Sequence, residues 1–419
     1  MPAKSQAGMG RIRRAIHKFG PALLLTLVSQ VSSAAGLFVL QFLSARSADL
    51  YSVGIQVGYV ALTSGVIGVT YNVALGRPAF NSWLSHSVLS CVLSISVGAA
   101  TTLSVLKDQN PDDQLGTIAL MATFALGGCA LAVAGSRAVR LALNGKPKWL
   151  AGIAIVPNVA ILVGLLFGFF MPDGTTSYLS GGVLWSISCF GLAFVLSRTG
   201  KLYEREVVDA PRVEAVSSQK RHTSFLAVGV LASALVPTLA IAAVTQLEAG
   251  SAALIFIVAR IGTSVVGLGV NSILMVRYNW DSRTYVRPAV YCILLAAALA
   301  FILVAFVANL AAAAPAFSYV FIGLSWVCML VAAAVIGREV NARRMTTTVA
   351  IKVVVDVVLA LGAVGILWSH PSVTGYFGVF AMSQAVTVLI CSIGLKHRAV
   401  SVLAAASMAT ALLSVVFGW

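Results

Sequence analysis

Long apolar stretches separated by short polar loops run through the whole sequence. Thirteen of them are each about as long as the roughly 20 residues that a helix needs to cross the hydrocarbon core of a bilayer. Because lipid offers no hydrogen-bond partners for the backbone, each stretch is predicted to be a helix. The predicted spans are residues 20–43, 51–76, 83–106, 115–136, 150–171, 178–197, 223–245, 252–276, 289–310, 314–337, 347–368, 375–395 and 399–418.

The composition agrees with a chain that lies mostly in lipid. Hydrophobic residues make up 59% of the sequence and charged residues only 10%, whereas a soluble domain carries about 25% charged residues. So few charges cannot cover a water-facing surface of this size. We therefore expect an all-α integral membrane protein with about 12–13 transmembrane helices.

The basic residues fall almost entirely on one side of the predicted helices. Of the 28 Lys and Arg residues, 24 lie in loops on one side, and only Arg46 and Lys107 lie in loops on the other. Basic loops face the cytoplasm, so we predict a multi-pass protein of the cell inner (plasma) membrane with a cytoplasmic N-terminus. The net charge of +15 therefore requires no nucleic acid partner, because the basic residues do not form a single patch.

The longest loop, Ser197–Thr223, divides the chain into six spans before it and seven after it. This division predicts two helical lobes of six spans each, joined by a cytoplasmic linker and followed by one more span. The predicted parts are an N-terminal lobe at 1–200, a linker at 201–222, a C-terminal lobe at 223–397 and an additional span at 398–419.

A weak sequence similarity between two segments favours an internal duplication of the two halves. Asp49–Gly68 (DLYSVGIQVGYVALTSGVIG) resembles Gly250–Gly269 (GSAALIFIVARIGTSVVGLG) in its pattern of small residues. Each segment opens the second span of its half. An even number of spans per half predicts parallel repeats, related by an axis along the membrane normal.

Three charged residues lie within the predicted spans: Arg260, Lys352 and Asp356. A charge at the centre of a spanning helix costs about 2.5–3.5 kcal/mol on insertion, so it needs a partner or a function. Lys352 and Asp356 are four residues apart and share a helix face. In one interpretation they only neutralise each other, while Arg260 snorkels toward the membrane surface or packs on another helix. In the other, Arg260 and Lys352 bind an anionic substrate and Asp356 couples transport to an ion.

Uncharged polar residues and loop cations provide further candidates. Gln30 lies among Ser29, Ser32 and Ser33, which would give the first helix a hydrophilic face for substrate. Arg137 is the cation nearest the membrane in a basic cytoplasmic loop, where it could receive an acidic head group or only orient the chain. Most other polar residues in the spans are expected to join helices by hydrogen bonds. These residues are Gln56, Asn72, His86, Asn158 and Gln384.

Several classes of chemistry have no support in the sequence. The six cysteines lie within apolar stretches without a CxxC or a nearby histidine, so neither a metal site nor a disulfide framework is expected. No phosphate-binding G-x-x-x-x-G-K-[ST] motif is present. The outer loops are too short to hold an active site. We therefore expect no enzymatic activity and no cofactor.

Several segments resemble the multidrug/oligosaccharidyl-lipid/polysaccharide exporter superfamily, especially its Wzx-type polysaccharide flippases. They are the basic opening Arg11–Lys18, the step Ala48–Gly54 into the second span, and Asn72–Arg77 at the end of that span. They also include Leu141–Asn158, with Asn-Gly-Lys-Pro-Lys before a Pro-Asn pair, and Glu248–Gly262, which ends in Ala-Arg-Ile-Gly.

This resemblance extends over about residues 10–397. It implies two six-helix lobes around a central cavity that opens alternately to each side. It further implies a substrate, a lipid-linked oligosaccharide or polysaccharide precursor on polyprenyl diphosphate, whose transport is driven by an ion gradient. Arg260 is the position that best fits the family's cationic cavity residues. A polysaccharide polymerase and glycosyltransferases are the partners that such a role implies.

Other functions remain open at this stage. A MATE-like exporter of cationic drugs belongs to the same superfamily, but it generally needs a buried carboxylate, and the first six spans have none at their centres. A polysaccharide polymerase or ligase would need a large outer loop. A scaffold without transport activity is opposed by the charges within the spans.

Overall fold

The computed structural model describes residues 45–60, 83–106, 111–143, 148–169, 174–204, 236–266, 287–310, 315–343 and 345–416. It also describes isolated positions between 24 and 39, position 62, and positions 225, 228 and 229. Gln30, the second half of the second predicted span and most of the 201–222 linker lie outside these residues.

The described residues are almost entirely helical. The helices are α1 (Ala45–Val60), α2 (Trp83–Leu106), α3 (Pro111–Leu143), α4 (Lys148–Ala151), α5 (Ile155–Phe169), α6 (Gly174–Glu204), α7 (Ser251–Val265), α8 (Pro288–Leu310), α9 (Pro315–Ala342), α10 (Thr346–Ser369), α11 (Val373–Gly394) and α12 (Arg398–Val416). Residues 236–244 are also helical.

The helices have the length and surface of membrane spans. Seven described segments are long and apolar enough to cross a bilayer. Along α10, large apolar side chains face outward, including Val358 at 63% exposure and Leu361 at 67%. In water such a surface would drive aggregation, but in lipid it is the expected outer face. The predicted fold class, an all-α integral membrane protein, is confirmed.

The helices form two sets that touch mainly along one line. Helices α1–α6 pack among themselves, with α3 against α6 and α5 against α6 as the most extensive contacts. Helices α7–α12 do the same, led by α11 against α12 and α8 against α9. Between the sets, α1 packs against α7. We call this contact, residues 49–60 against residues 250–260, the seam.

The fifth predicted span is broken near its start. The short helix α4 ends at Ala151, turns occupy 152–154, and α5 begins at Ile155. Pro157 has no N–H to donate to the carbonyl of Ile153, which favours a break or kink in the helix at this point. In the first turn of α5 the missing donor is tolerated.

One expectation about acidic residues is wrong. The sequence places Asp356 as the only acid within a span, but Glu339 lies in α9 and is fully buried. Its carboxylate accepts hydrogen bonds from the hydroxyl of Tyr291 (2.8 Å) and from Nη2 of Arg343 (2.6 Å). The helix continues past the predicted limit at residue 337, because hydropathy marks only the apolar part of a helix.

Candidate functional site

The start of α7 lacks a cap of its own. Leu254 N–H donates to the Gly250 carbonyl (3.0 Å), so Gly250 is the N-cap, where a side chain would normally accept from the third helical N–H. Gly250 has φ 97°, a left-handed conformation that favours glycine over residues with a side chain. The backbone therefore selects a residue that cannot cap the helix.

Asp49 of α1 supplies that cap from the other helix set. Its Oδ2 accepts from Gly250 N–H and its Oδ1 accepts from Ala253 N–H, both at 2.8 Å. Asp49 is 1% exposed, so water does not solvate its charge. Charged hydrogen bonds and the positive end of the α7 dipole stabilise the carboxylate instead.

Arg260 lies at the other end of the seam. Its guanidinium carbon is 4.4 Å from the centre of the Tyr59 ring on α1 and 5.0 Å from the centre of the Phe256 ring on α7. Two of its nitrogens, Nε and Nη2, are buried from solvent. The cation therefore contacts the opposite helix set through Tyr59, in a cation–π arrangement with aromatic faces.

Tyr59 connects Arg260 to the first span. The Tyr59 hydroxyl donates to Oδ1 of Asn158 on α5 at 2.8 Å. Nδ2 of Asn158 donates to the carbonyl (3.0 Å) and to the hydroxyl (2.9 Å) of Ser29. Asn158 therefore joins helices by hydrogen bonds, as expected for a polar residue in a span.

Aromatic rings and glycines allow α1 to pack closely against α3 and α6 of its own helix set. Tyr59 meets the ring of Trp185 edge-on, with ring centres 6.1 Å apart. A side chain at Gly58 would collide with Trp185, and one at Gly54 would collide with the ring of Phe124. These glycines allow the close helix contact that their four-residue spacing predicts.

Lys352 and Asp356 form an ion pair elsewhere in the C-terminal helices. Nζ of Lys352 lies 2.6 Å from Oδ2 of Asp356, and Thr387 of α11 donates to Oδ1 at 2.9 Å. The pair occupies the interface of α10 with α11, while Arg260 occupies the seam. This contact is the one expected if Lys352 and Asp356 only neutralise each other. Their roles in substrate binding and ion coupling stay predictions.

We expect replacement of Lys352 by methionine to lower the free energy of unfolding by about 2 kcal/mol, because it leaves the Asp356 carboxylate without its cation. The effect is smaller than for a fully buried pair, since the side chains keep 26% and 18% exposure. The double variant Lys352→Met/Asp356→Leu should recover most of the loss. Unfolding in mild detergent measures both, with the exposed Lys148→Met as control. Equal stability of Lys352→Met and the wild type would contradict a stabilising pair.

The remaining predicted site residues do not join this geometry. Arg137 lies near the end of α3 and is 7% exposed, with a buried Nε, so it is more enclosed than a loop cation at the membrane surface. Gln30 lies outside the described residues. Its neighbour Ser29 is buried and bound to Asn158. A part of the predicted hydrophilic face therefore joins helices.

Asp49 is the residue that the sequence did not single out. It stands beside the predicted start of the second span and looks like a loop residue there. The clue to Asp49 in the sequence was the weak similarity between the two segments, which aligns Asp49 with Gly250. Within the described ranges, no group of three or more His, Cys, Asp or Glu residues could hold a metal ion, and the six cysteines are free thiols.

Solved structures that resemble this chain include the lipid II flippase MurJ in an inward closed conformation. The two share 12% sequence identity, with a TM-score of 0.53 over 93% of this chain and 92% of that chain. No family model matches the sequence, and no curated protein matches it. In fold, this chain is therefore similar to a helical membrane transporter along nearly the whole length of both proteins.

Proposed function

We propose that this protein moves a lipid-linked oligosaccharide or polysaccharide precursor across the cytoplasmic membrane by alternating access. The observation that carries the proposal is the position of Arg260. Its guanidinium lies between the two helix sets, over the Tyr59 ring of the opposite set. A half-buried cation between two helix sets that move apart during transport is suited to meet an anionic substrate. The fold, similar to that of a lipid II flippase, agrees with this role.

The chemistry of the seam favours a phosphate-bearing head group. Arginine presents N–H donors in a planar fork that matches phosphate oxygens in pairs. A polyprenyl diphosphate carries such oxygens at the point where sugar and lipid meet. In this proposal Arg260 binds the diphosphate, while Lys352, Gln30 and Arg137 provide further contacts along the route.

Transport in this proposal is driven by an ion gradient, with Asp356 as the coupling residue. The Asp356 carboxylate already holds Lys352 and Thr387. A coupling cation or proton would compete with the ammonium group for the same oxygens. The N-terminus and the basic loops are assigned to the cytoplasm of a cell inner membrane, as the charge distribution predicts.

Three enclosed carboxylates of the described helices weigh against export of cationic drugs. Asp49 binds backbone N–H groups, Glu339 binds Tyr291 and Arg343, and Asp356 binds Lys352. Each of these acids is already engaged within the protein. A proton or small cation could compete for such oxygens, but a bulky organic cation needs a carboxylate with room beside it, as a MATE-like exporter would have to provide. We therefore rank drug export second.

Reconstitution tests the proposal directly. Purified protein in liposomes should move a fluorescent polyprenyl-diphosphate oligosaccharide between leaflets, as measured by bleaching of the exposed label with a membrane-impermeant reductant. Protein-free liposomes and the same lipid without its diphosphate are the controls. Movement of ethidium and not of the labelled oligosaccharide would favour the drug exporter instead. Lengthening of the sugar chain would indicate a polymerase.

A further inference from the structure

We propose that the seam is a gate on the approximate two-fold axis between the halves. The hydrogen bonds of Asp49 hold the gate closed. The gate opens when an anionic head group binds Arg260 in place of the Tyr59 ring. The inference deepens the proposed function and rests on it. The Asp49 end of the seam holds the two helix sets together, and the Arg260 end binds the substrate.

The two polar pairs of the seam have the same spacing in sequence. Asp49 binds the backbone of Gly250, and Tyr59 packs against Arg260. The two residues of each pair are 201 positions apart in the sequence. The same offset aligns Asp49–Gly68 with the similar segment Gly250–Gly269. Equivalent residues of two parallel repeats meet each other only beside the axis that relates the repeats. The seam therefore lies along that axis.

The pairs are equivalent in position but opposite in chemistry. Two copies of the first half would place carboxylate against carboxylate at one end, and two copies of the second half would place guanidinium against guanidinium at the other; both arrangements repel. Here the carboxylate of Asp49 meets backbone N–H groups, and the cation of Arg260 meets an aromatic face. The differences between the halves therefore make the contact attractive at both ends.

Asp49 is suited to hold the gate closed. Its two hydrogen bonds cross from one helix set to the other, so they break if the sets separate at this end. The Asp49 end lies on the outer side of the membrane in the proposed orientation. Once the sets part, water can solvate both the carboxylate and the helix terminus, so the cost of opening is limited and the gate is reversible.

Arg260 is suited to sense the substrate. Ten residues separate Asp49 from Tyr59, which along a helix is about 15 Å, or roughly half of the hydrocarbon thickness. The guanidinium therefore lies at the inner end of the seam, where a substrate arriving from the cytoplasmic side would meet it first. A diphosphate offers charged hydrogen bonds in place of an aromatic face. Its binding removes one attachment of the seam.

Spin labels on the two helix sets measure the gate. In a background without the native cysteines, labels at Leu115→Cys and Ala249→Cys, both exposed and at the outer end, report the separation of the sets. Asp49→Ala should raise the ratio of open to closed populations about 5- to 30-fold, the usual effect of a lost helix cap. Ser52→Ala is the matched control, since the Ser52 hydroxyl donates to the Ala48 carbonyl of its own helix.

Hydrogen exchange gives a second measurement on protein with its native cysteines. The amide N–H groups of Gly250 and Ala253 bind Asp49 directly. Asp49→Ala should therefore speed deuterium uptake in a peptide covering residues 248–256, while Ser52→Ala leaves it unchanged. Unchanged exchange together with unchanged label distances in Asp49→Ala overturns the role of Asp49.

Substrate sensing is tested with undecaprenyl diphosphate as the probe and undecaprenol as the uncharged control. The diphosphate should enlarge the open population of the wild type, and undecaprenol should not. Ser52→Ala, which removes only a hydroxyl bonded within α1, should respond like the wild type, whereas Arg260→Ala should no longer respond. An equal response of Arg260→Ala to the diphosphate overturns sensing.

The experiments separate this inference from the function on which it rests. If Arg260→Ala loses transport in liposomes but Asp49→Ala changes neither distances nor exchange, the gate is wrong and the flippase stands. If Asp49→Ala opens the seam but the wild type moves no lipid-linked saccharide, the gate stands and the proposed substrate is wrong.

Discussion

Replacement of Arg260 by alanine is expected to lower the rate of lipid-linked saccharide transport about 10- to 100-fold. Hydrogen bonds to charged groups contribute about 1.5–3 kcal/mol, and each 1.4 kcal/mol is about a factor of ten in binding. The amount of folded protein should change little, because the variant removes a charge whose burial is costly. Leaflet-exchange assays in liposomes measure the rate, and size-exclusion chromatography measures the folded yield.

Two variants distinguish loss of the Arg260 charge from loss of a ring contact. Arg198 also lies over an aromatic ring, with its guanidinium carbon 5.1 Å from the centre of the Phe194 ring, but it sits near the end of α6. Arg198→Ala should transport at the wild-type rate. Arg260→Lys keeps the positive charge without the paired donors and should show an intermediate loss. Wild-type transport by Arg260→Ala at normal yield would contradict a role of this residue in binding the substrate.

The helices of the fold could be predicted from the sequence because lipid imposes one solution on an apolar stretch. The span predicted at 83–106 is observed as Trp83–Leu106, and that predicted at 347–368 is observed as Thr346–Ser369. Errors occur where helices leave the hydrocarbon. The span predicted at 115–136 continues from Pro111 to Leu143, because polar residues can extend a helix into water without a signal in hydropathy.

The candidate site was only partly visible in the sequence. The four-residue spacing of Lys352 and Asp356 predicts their contact, whereas Thr387 joins them through tertiary packing alone. Arg260 is conspicuous as a charge within a span, but its partner Tyr59 is not. Asp49 gives no signal by itself, since an acid next to a span resembles a loop residue. Its role depends on a helix start 201 residues away, and only an alignment of the two halves connects them.

Replacement of Gly164 by valine is expected to lower the free energy of unfolding by about 3 kcal/mol or more, because α5 and α6 touch there through their backbones. A Cβ on Gly164 would lie 2.9 Å from the backbone nitrogen of Gly181 and 3.2 Å from the carbonyl oxygen of Ser180. The Ser180 hydroxyl also donates to the Gly164 carbonyl at 3.0 Å. A valine must push the helices apart and break this hydrogen bond.

A glycine on the same helix pair provides the control. A Cβ on Gly191 of α6 meets nothing within 4 Å, so Gly191→Val should change stability by only about 0.5 kcal/mol in either direction. Thermal unfolding in detergent compares the two variants at the same added volume. Because α5 also carries Asn158, which anchors Tyr59, Gly164→Val should in addition weaken the response of the seam to undecaprenyl diphosphate. Equal melting temperatures for the two variants would contradict a backbone contact at Gly164.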